Sequence, residues 1–154
     1  HYEVDTRFYN LVLGKHRKYS SALYESTDIS IDEAVAKLDE AEERMLELYA
    51  ERSQITAACA EEGASLRLLD LGCGWGSVSL WFAQRFPRCL TVVGLSNSQT
   101  QRAYILGEAK RRGLDNMEEV ITADISKIEA LPDGIDGFDR VISIEMLEHM
   151  KNYK

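Results

Sequence analysis

The spacing of apolar positions changes near Gly63, and the change divides the chain. Before it they recur at helical intervals. Phe8, Tyr9, Val12 and Leu13 share one face of a short helix that Gly14 stops, and Ile31, Val35, Leu38, Met45, Leu48, Tyr49 and Ile55 carry the rhythm on to about Cys59. Ser30 followed by Glu33 has the form of a capping box, so one long helix is expected to begin there. Between the two helices the segment YSSALY, 19–24, reads as a lid or an edge element. After Gly63 short apolar runs alternate with helical stretches, the order of a parallel sheet covered by helices. Strands are expected at 66–71 (LRLLDL), 90–95 (LTVVGL), 119–122 (EVIT) and 138–144 (FDRVISI), and helices at roughly 75–86, 97–112 and from 147 onward. LPDGIDG, 131–137, reads as a surface loop. The expected class is α/β, a doubly wound and mostly parallel sheet preceded by a helical segment. Residues 1–62 form the helical lid or cap, and residues 63–154 the ligand-binding part.

Composition narrows the partner. With 154 residues, 45% hydrophobic and 29% charged, the chain suits one globular domain with a real core. The net charge of −8 is concentrated between Glu25 and Glu62, where twelve acids face only Lys37, Arg44 and Arg52. A solvated helix face accounts for such a run. The rest of the chain is nearly neutral and offers no basic stripe, so nucleic acid is excluded as the expected partner and a small molecule favoured. No apolar run approaches a membrane span and the N-terminus lacks the layout of a signal peptide, so stable membrane insertion is not expected and a cytoplasmic location is. Cys59, Cys73 and Cys89 are odd in number and make no C-x-x-C pair; reduced thiols are expected, with neither a disulfide framework nor a zinc site. The pattern leaves a homodimer open. The chain begins at His1 and stops inside a motif, so both ends are read as cuts.

LLDLGCGWGS puts Gly72, Gly74 and Gly76 at the end of the first strand and the mouth of the first sheet helix. Glycines there let the backbone turn sharply and approach a ligand, while free N–H groups at the helix start favour a carboxylate or phosphate. A tight turn with no ligand would have the same residues. A dinucleotide site needs its third glycine one position later, at Ser77, and an acid about twenty residues on; GLSNSQ, 94–99, offers Ser96, Asn97 and Gln99 instead. No G-K-[ST] follows, so a phosphate loop is excluded as well.

Together LDLGCGWGS, VVGLSNSQ, SIEMLEHM and the early HYEVDTRFYNLVLG with KYSSALY resemble the family containing cyclopropane fatty acid synthases and plant coclaurine N-methyltransferases, all users of S-adenosylmethionine. The resemblance runs from the first residue to the last. It implies a Rossmann-like class I methyltransferase fold and S-adenosylmethionine as cofactor. Gly72 and Gly74 would lie near its methionine part and Asp70 near its ammonium group. Ser96 and Gln99, with Asn97 between them, would meet the ribose side. Tyr19 and Ser20 would approach its carboxylate, and Asp124 with Ile125 would flank adenine. Asp124 could equally be a helix N-cap.

Glu145, Glu148 and His149 close the chain after an apolar strand. If a helix begins there, all three share one side. Zinc signatures need two histidines on one helix and di-iron sites need Glu-x-x-His from two helices, so metal is not expected. Exposed solubilising residues are the plain alternative. The chemical reading is amine handling: an ammonium has no lone pair, so His149 would take its proton, Glu148 would orient His149, and Glu145 would hold the cation beforehand. Lipid-modifying members of the resembled family typically carry cysteine where this chain has Ser21 and glycine where it has Glu145. SIEMLEHMKNYK and LSNSQTQ are closer to the coclaurine N-methyltransferase pattern. The resemblance therefore implies an N-methyltransferase of alkaloid type acting on a benzylisoquinoline- or phenethylamine-like amine. The alternatives are an enzyme alkylating unsaturated acyl chains and a non-catalytic cofactor-binding fragment.

Overall fold

A computed structural model describes residues 6–127 and 137–150. Among these residues four strands, β1 (Leu66–Leu71), β2 (Leu90–Ser96), β3 (Met117–Thr122) and β4 (Arg140–Ile142), form one parallel sheet in the order β3-β2-β1-β4. Leu66 to Leu71 pair in register with Leu90 to Leu95, and Asp70 lies opposite Ile142. The carboxyl ends of all four strands therefore lie along the same edge of the sheet, where ligands of such sheets bind.

Among the described residues six helices accompany the sheet: α1 (Thr6–Val12), α2 (Ile31–Ala36), α3 (Leu38–Arg52), α4 (Ile55–Ala58), α5 (Ser77–Arg85) and α6 (Gln99–Arg112). α5 is buried at Val78, Leu80, Trp81, Phe82 and Ala83, because it lies between the sheet and other helices. Its side chains share one core with Leu46 and Ala50 of α3, Ile55 of α4, Ile105 and Ala109 of α6, and Leu68, Val92 and Val120 of the sheet. The other face of the sheet carries a smaller cluster, Leu69, Val93, Leu95 and Ile121. Phe82 is fully buried at the centre of the larger cluster, where truncation to alanine costs about 3–5 kcal/mol.

The sheet matches the expected strands, with β3 starting two residues early and β4 shorter than the apolar run around it. The single long helix is corrected to three. Lys37 interrupts it at φ −99° and ψ 8°, and Gln54 adopts the left-handed region at φ 60°. The capping box of Ser30 and Glu33 is present. Ile31 and Val35, counted toward the buried face, are 83% and 70% exposed. On α1 Tyr9 alone of the expected apolar face is fully buried, while Phe8 and Val12 are half exposed. The helix expected from 147 is a single 3-10 turn, Leu147–His149, and residues 151–154 lie outside the described residues. The expected loop at 131–137 lies outside them too, except for Gly137.

The expectation of three reduced thiols is also corrected. Cys59, which ends α4, and Cys89, which precedes β2, form a disulfide, leaving Cys73 free and buried. Parallel pairing brings them together: the Leu66 N–H donates to the Cys89 carbonyl at 2.7 Å, so the chain entering β1 passes the start of β2.

Candidate functional site

A cavity of about 430 Å³ opens at the carboxyl edge of the sheet, within the size range of small-molecule sites. Its floor is the glycine loop. Gly72 has φ 86°, and a Cβ there would stand 2.5 Å from Met146 Cγ, so only glycine lets the β4 end close over the loop. Gly74 has φ 53°, and a Cβ there would meet nothing within 4 Å. Its free face borders the cavity.

Asp70, near the end of β1, lines the cavity and is 2% exposed. Ser79 of α5 donates its hydroxyl to Asp70 Oδ2 at 2.6 Å. Burial outweighs that hydrogen bond and pushes the carboxyl up to about 6. A cation arriving beside it would restore the ionised form.

At the end of β2, Ser96 and Asn97 line the cavity together with Gln101. Ser96 Oγ donates to Gln101 Oε1 at 2.6 Å, and both side chains are buried. Gln99 is exposed at the start of α6 and does not border the cavity. The signal for Gln101 is Ser98 three residues before it: Ser98 caps α6 by accepting from the Gln101 N–H, which fixes Gln101 on the inward side. At the end of β3, Asp124 and Ile125 line the cavity. Asp124 Oδ1 accepts from the N–H and hydroxyl of Ser126, which hold its carboxyl below the usual range. It caps the 3-10 turn Ile125–Lys127 while bordering the cavity.

After β4, Glu145 and His149 line the cavity and the exposed Glu148 does not. Glu145 is not helical: at φ 49° it forms a left-handed bend, and its carboxylate accepts from the Ser21 N–H at 2.8 Å, which lowers its pKa. The alignment of all three on one helix face is thereby corrected.

Arg17, Tyr19 and Ser20 line the cavity as well. The acidic face of α3 holds their segment, which corrects its reading as wholly solvated. Asp39 accepts from the Lys15 N–H at 2.8 Å and Glu42 from the His16 N–H at 3.3 Å. Glu43 pairs with His16 Nε2 at 2.7 Å and accepts from Trp81 Nε1 at the same distance, tying the segment to both α3 and α5. Glu42 is 2% exposed, and burial raises its pKa. Lys18 is buried too. Its ammonium donates to Ser20 Oγ at 2.5 Å, to the Ser21 carbonyl at 2.6 Å and to the Tyr49 hydroxyl at 3.3 Å, and burial lowers its pKa.

Trp75, inside the glycine loop, packs its ring against Tyr9 at 4.9 Å and Tyr104 at 5.6 Å. Its indole Nε1 is buried and has no hydrogen-bond partner among the described residues. An unpaired N–H, an open glycine face, a buried carboxyl and a Ser–Gln pair around one cavity fit a ligand carrying an ammonium, hydroxyls and a flat apolar part. Among the described residues no three His, Cys, Asp or Glu side chains converge as a metal site would require. No helix among them is long and apolar enough to cross a membrane.

Residues 1–154 match the family model described as mycolic acid cyclopropane synthetase. Similar curated proteins include the (S)-coclaurine N-methyltransferase of Papaver somniferum, 40% identical over 99% of this chain and 38% of that protein. The pavine N-methyltransferase of Thalictrum flavum subsp. glaucum is 37% identical over 99% of this chain and 37% of its own length. The methoxy mycolic acid synthase MmaA3 of Mycobacterium tuberculosis is 30% identical over 97% of this chain and 43% of its own. The chain thus spans less than two fifths of the plant relatives. Among solved structures, coclaurine N-methyltransferase bound to N-methylheliamine and SAH superposes with a TM-score of 0.78 at 35% identity, over 98% of this chain and 39% of that one. The cyclopropane synthase CmaA1 complexed with SAH and CTAB gives 0.64 at 26%, over 97% and 45%.

Proposed function

The chain belongs to the mycolic acid cyclopropane synthetase family, and from that premise we propose that the protein is an S-adenosylmethionine-dependent methyltransferase acting on the nitrogen of a small amine. Its sheet and helices have the Rossmann-like arrangement of class I methyltransferases. The observation that carries the proposal is that Glu145 and His149 stand on the rim of the same cavity that the glycine loop floors. The plant relatives named as N-methyltransferases support the amine as acceptor.

The cofactor, when bound, supplies an electrophilic methyl group on a sulfonium. Asp70 suits its ammonium, Ser96 and Gln101 its ribose hydroxyls, Asp124 and Ile125 its adenine, and Gly72 and Gly74 the close passage of its amino-acid part. Glu145 attracts the protonated acceptor, and His149 takes its proton so that the nitrogen regains a lone pair. Glu148, off the cavity wall, acts on His149 rather than on the acceptor. Most of the acceleration comes from aligning the reacting atoms in a site that excludes water. Residues 1–62 serve as a cap over residues 63–154 through the segment that α3 holds, and a benzylisoquinoline- or phenethylamine-like acceptor completes the reading.

Calorimetric titration with S-adenosylhomocysteine beside NAD tests the cofactor. Binding of NAD in preference to S-adenosylhomocysteine would sink the proposal. Labelled methyl transfer to benzylisoquinoline and phenethylamine amines beside unsaturated phospholipid vesicles tests the acceptor; labelling confined to lipid would replace the amine.

A further inference from the structure

Arg17 brings a cation to the cavity rim beside Tyr19 and Ser20. Its backbone sits in the left-handed region at φ 51°, which a non-glycine residue adopts only when its surroundings impose it. The surroundings here are the clamp from α3. Asp39 and Glu42 fix the N–H groups of Lys15 and His16, and the Arg17 N–H closes a turn onto the Gly14 carbonyl at 2.9 Å. Two successive side chains are then sent to different neighbours. Lys18 reaches Tyr49 on α3, and Arg17 lays its guanidinium over the Tyr104 ring of α6, 4.1 Å from the centroid.

In that position Arg17 Nη1 is buried and has no hydrogen-bond partner among the described residues. The acids that hold its segment, and the one near Tyr104, are engaged with other groups. Asp39, Glu42 and Glu43 hold Lys15 and His16, and Glu108, one helical turn beyond Tyr104, pairs with Arg111 and Arg112. A buried guanidinium N–H left unpaired is costly, and the planar fork of donors matches a carboxylate two atoms at a time.

We infer that Arg17, beside Tyr19 and Ser20, supplies the cationic fork that receives the carboxylate on the amino-acid part of the S-adenosyl cofactor; the inference rests on the cofactor reading above. The charges around the cavity sort the ligand's groups. An α-amino acid carries its ammonium and carboxylate on one carbon, so the anion receptor must share the glycine-loop end of the cavity with Asp70. Arg17 borders that end, where its Tyr104 platform also touches Trp75 of the loop. A cationic amine acceptor, by contrast, is repelled by Arg17 and drawn to Glu145.

The test is calorimetric titration of the full-length protein and its Arg17→Met and Arg17→Lys variants with two ligands, S-adenosylhomocysteine and its decarboxylated analogue. Arg17→Met is expected to weaken S-adenosylhomocysteine by about tenfold or more and the analogue by less than about twofold, with Arg17→Lys in between because it keeps the charge without the fork. Equal weakening of both ligands would make Arg17 structural, and no weakening of either would make it a bystander; either result overturns the inference. Wild-type protein that binds neither ligand overturns the cofactor reading and the inference with it, whereas wild-type and Arg17→Met proteins that bind S-adenosylhomocysteine equally well overturn the inference alone. Should Arg17→Met not fold, judged by circular dichroism, Arg17→Lys decides between the same outcomes.

Discussion

The Glu145 carboxylate accepts a hydrogen bond from the Ser21 N–H at 2.8 Å, joining the end of β4 to the N-terminal segment across a sequence separation of 124 residues. Lys18, buried beneath the same segment, donates to Ser20 and to the Ser21 carbonyl, and its charge favours the ionised Glu145. Both rims of the cavity are thus held by one polar network, and Glu145 serves the architecture as well as the proposed chemistry.

Substitution separates those two roles. Glu145→Gln keeps an acceptor for Ser21 but loses the charge, so thermal stability should stay within about 0.5 kcal/mol of wild type. Affinity for a cationic amine should fall by about tenfold, measured by titration of the full-length enzyme. Glu145→Ala should lose both. If Glu145→Gln binds the amine normally, the carboxylate has only an architectural role.

Asp70 makes stability depend on pH, with a sign opposite to that of a salt-bridged acid. Its carboxyl is raised from 3.8 to about 6 by burial, so the folded form holds a proton that the unfolded chain releases first. Stability is therefore lost as pH rises from about 4 through about 6, by about 3 kcal/mol in all. Asp70→Asn should remove that loss. In urea unfolding of the ligand-free chain the variant should be more stable than wild type at pH 7.5 and indistinguishable at pH 3.5. A variant less stable at both values would mean that the carboxylate is already ionised and paired.

How far the sequence exposed this arrangement depended on the kind of signal. β1, β2 and α6 were legible because each is a run whose apolar spacing matches the face it buries, and the glycine loop because Gly72 and Gly74 sit where a strand hands over to a helix. Periodicity misled where apolar residues had no partner, as at Ile31 and Val35, and it could not register the break at Lys37, which is conformational. Polar pairing was the least visible. Nothing in the spacing of Asp39, Glu42 and Glu43 says that three acids on a charged helix reach back to Lys15 and His16, or that Lys18 is buried beside them. Gln101 was hidden by the more obvious Gln99, two residues before it, and is separated from it only by the register of a capped helix.

The Cys59–Cys89 disulfide was likewise invisible in spacing, since it joins positions 30 residues apart that only parallel pairing brings near. Closing a loop of that length removes unfolded-state entropy worth about 3–4 kcal/mol at room temperature. Chemical unfolding with and without dithiothreitol should show a difference of about that size, and Cys59→Ser with Cys89→Ser should match the reduced wild type. An unfolding midpoint indifferent to reductant would mean that the two thiols are not joined in solution.

His149 and Glu148 are adjacent in sequence, yet only His149 borders the cavity. If His149 is the group that takes the acceptor's proton, His149→Ala in the full-length enzyme should reduce kcat by about 10²–10⁴-fold while leaving S-adenosylhomocysteine affinity unchanged. Added imidazole should restore part of the rate, because the truncated side chain leaves room for a free base. If Glu148 acts through His149, the loss in Glu148→Ala should be smaller and should vanish in the His149→Ala background. Independent, multiplicative losses in the double variant would show that the two residues do not work as a pair. A fall in cofactor affinity matching the fall in kcat would instead place His149 among the groups that shape the binding cavity.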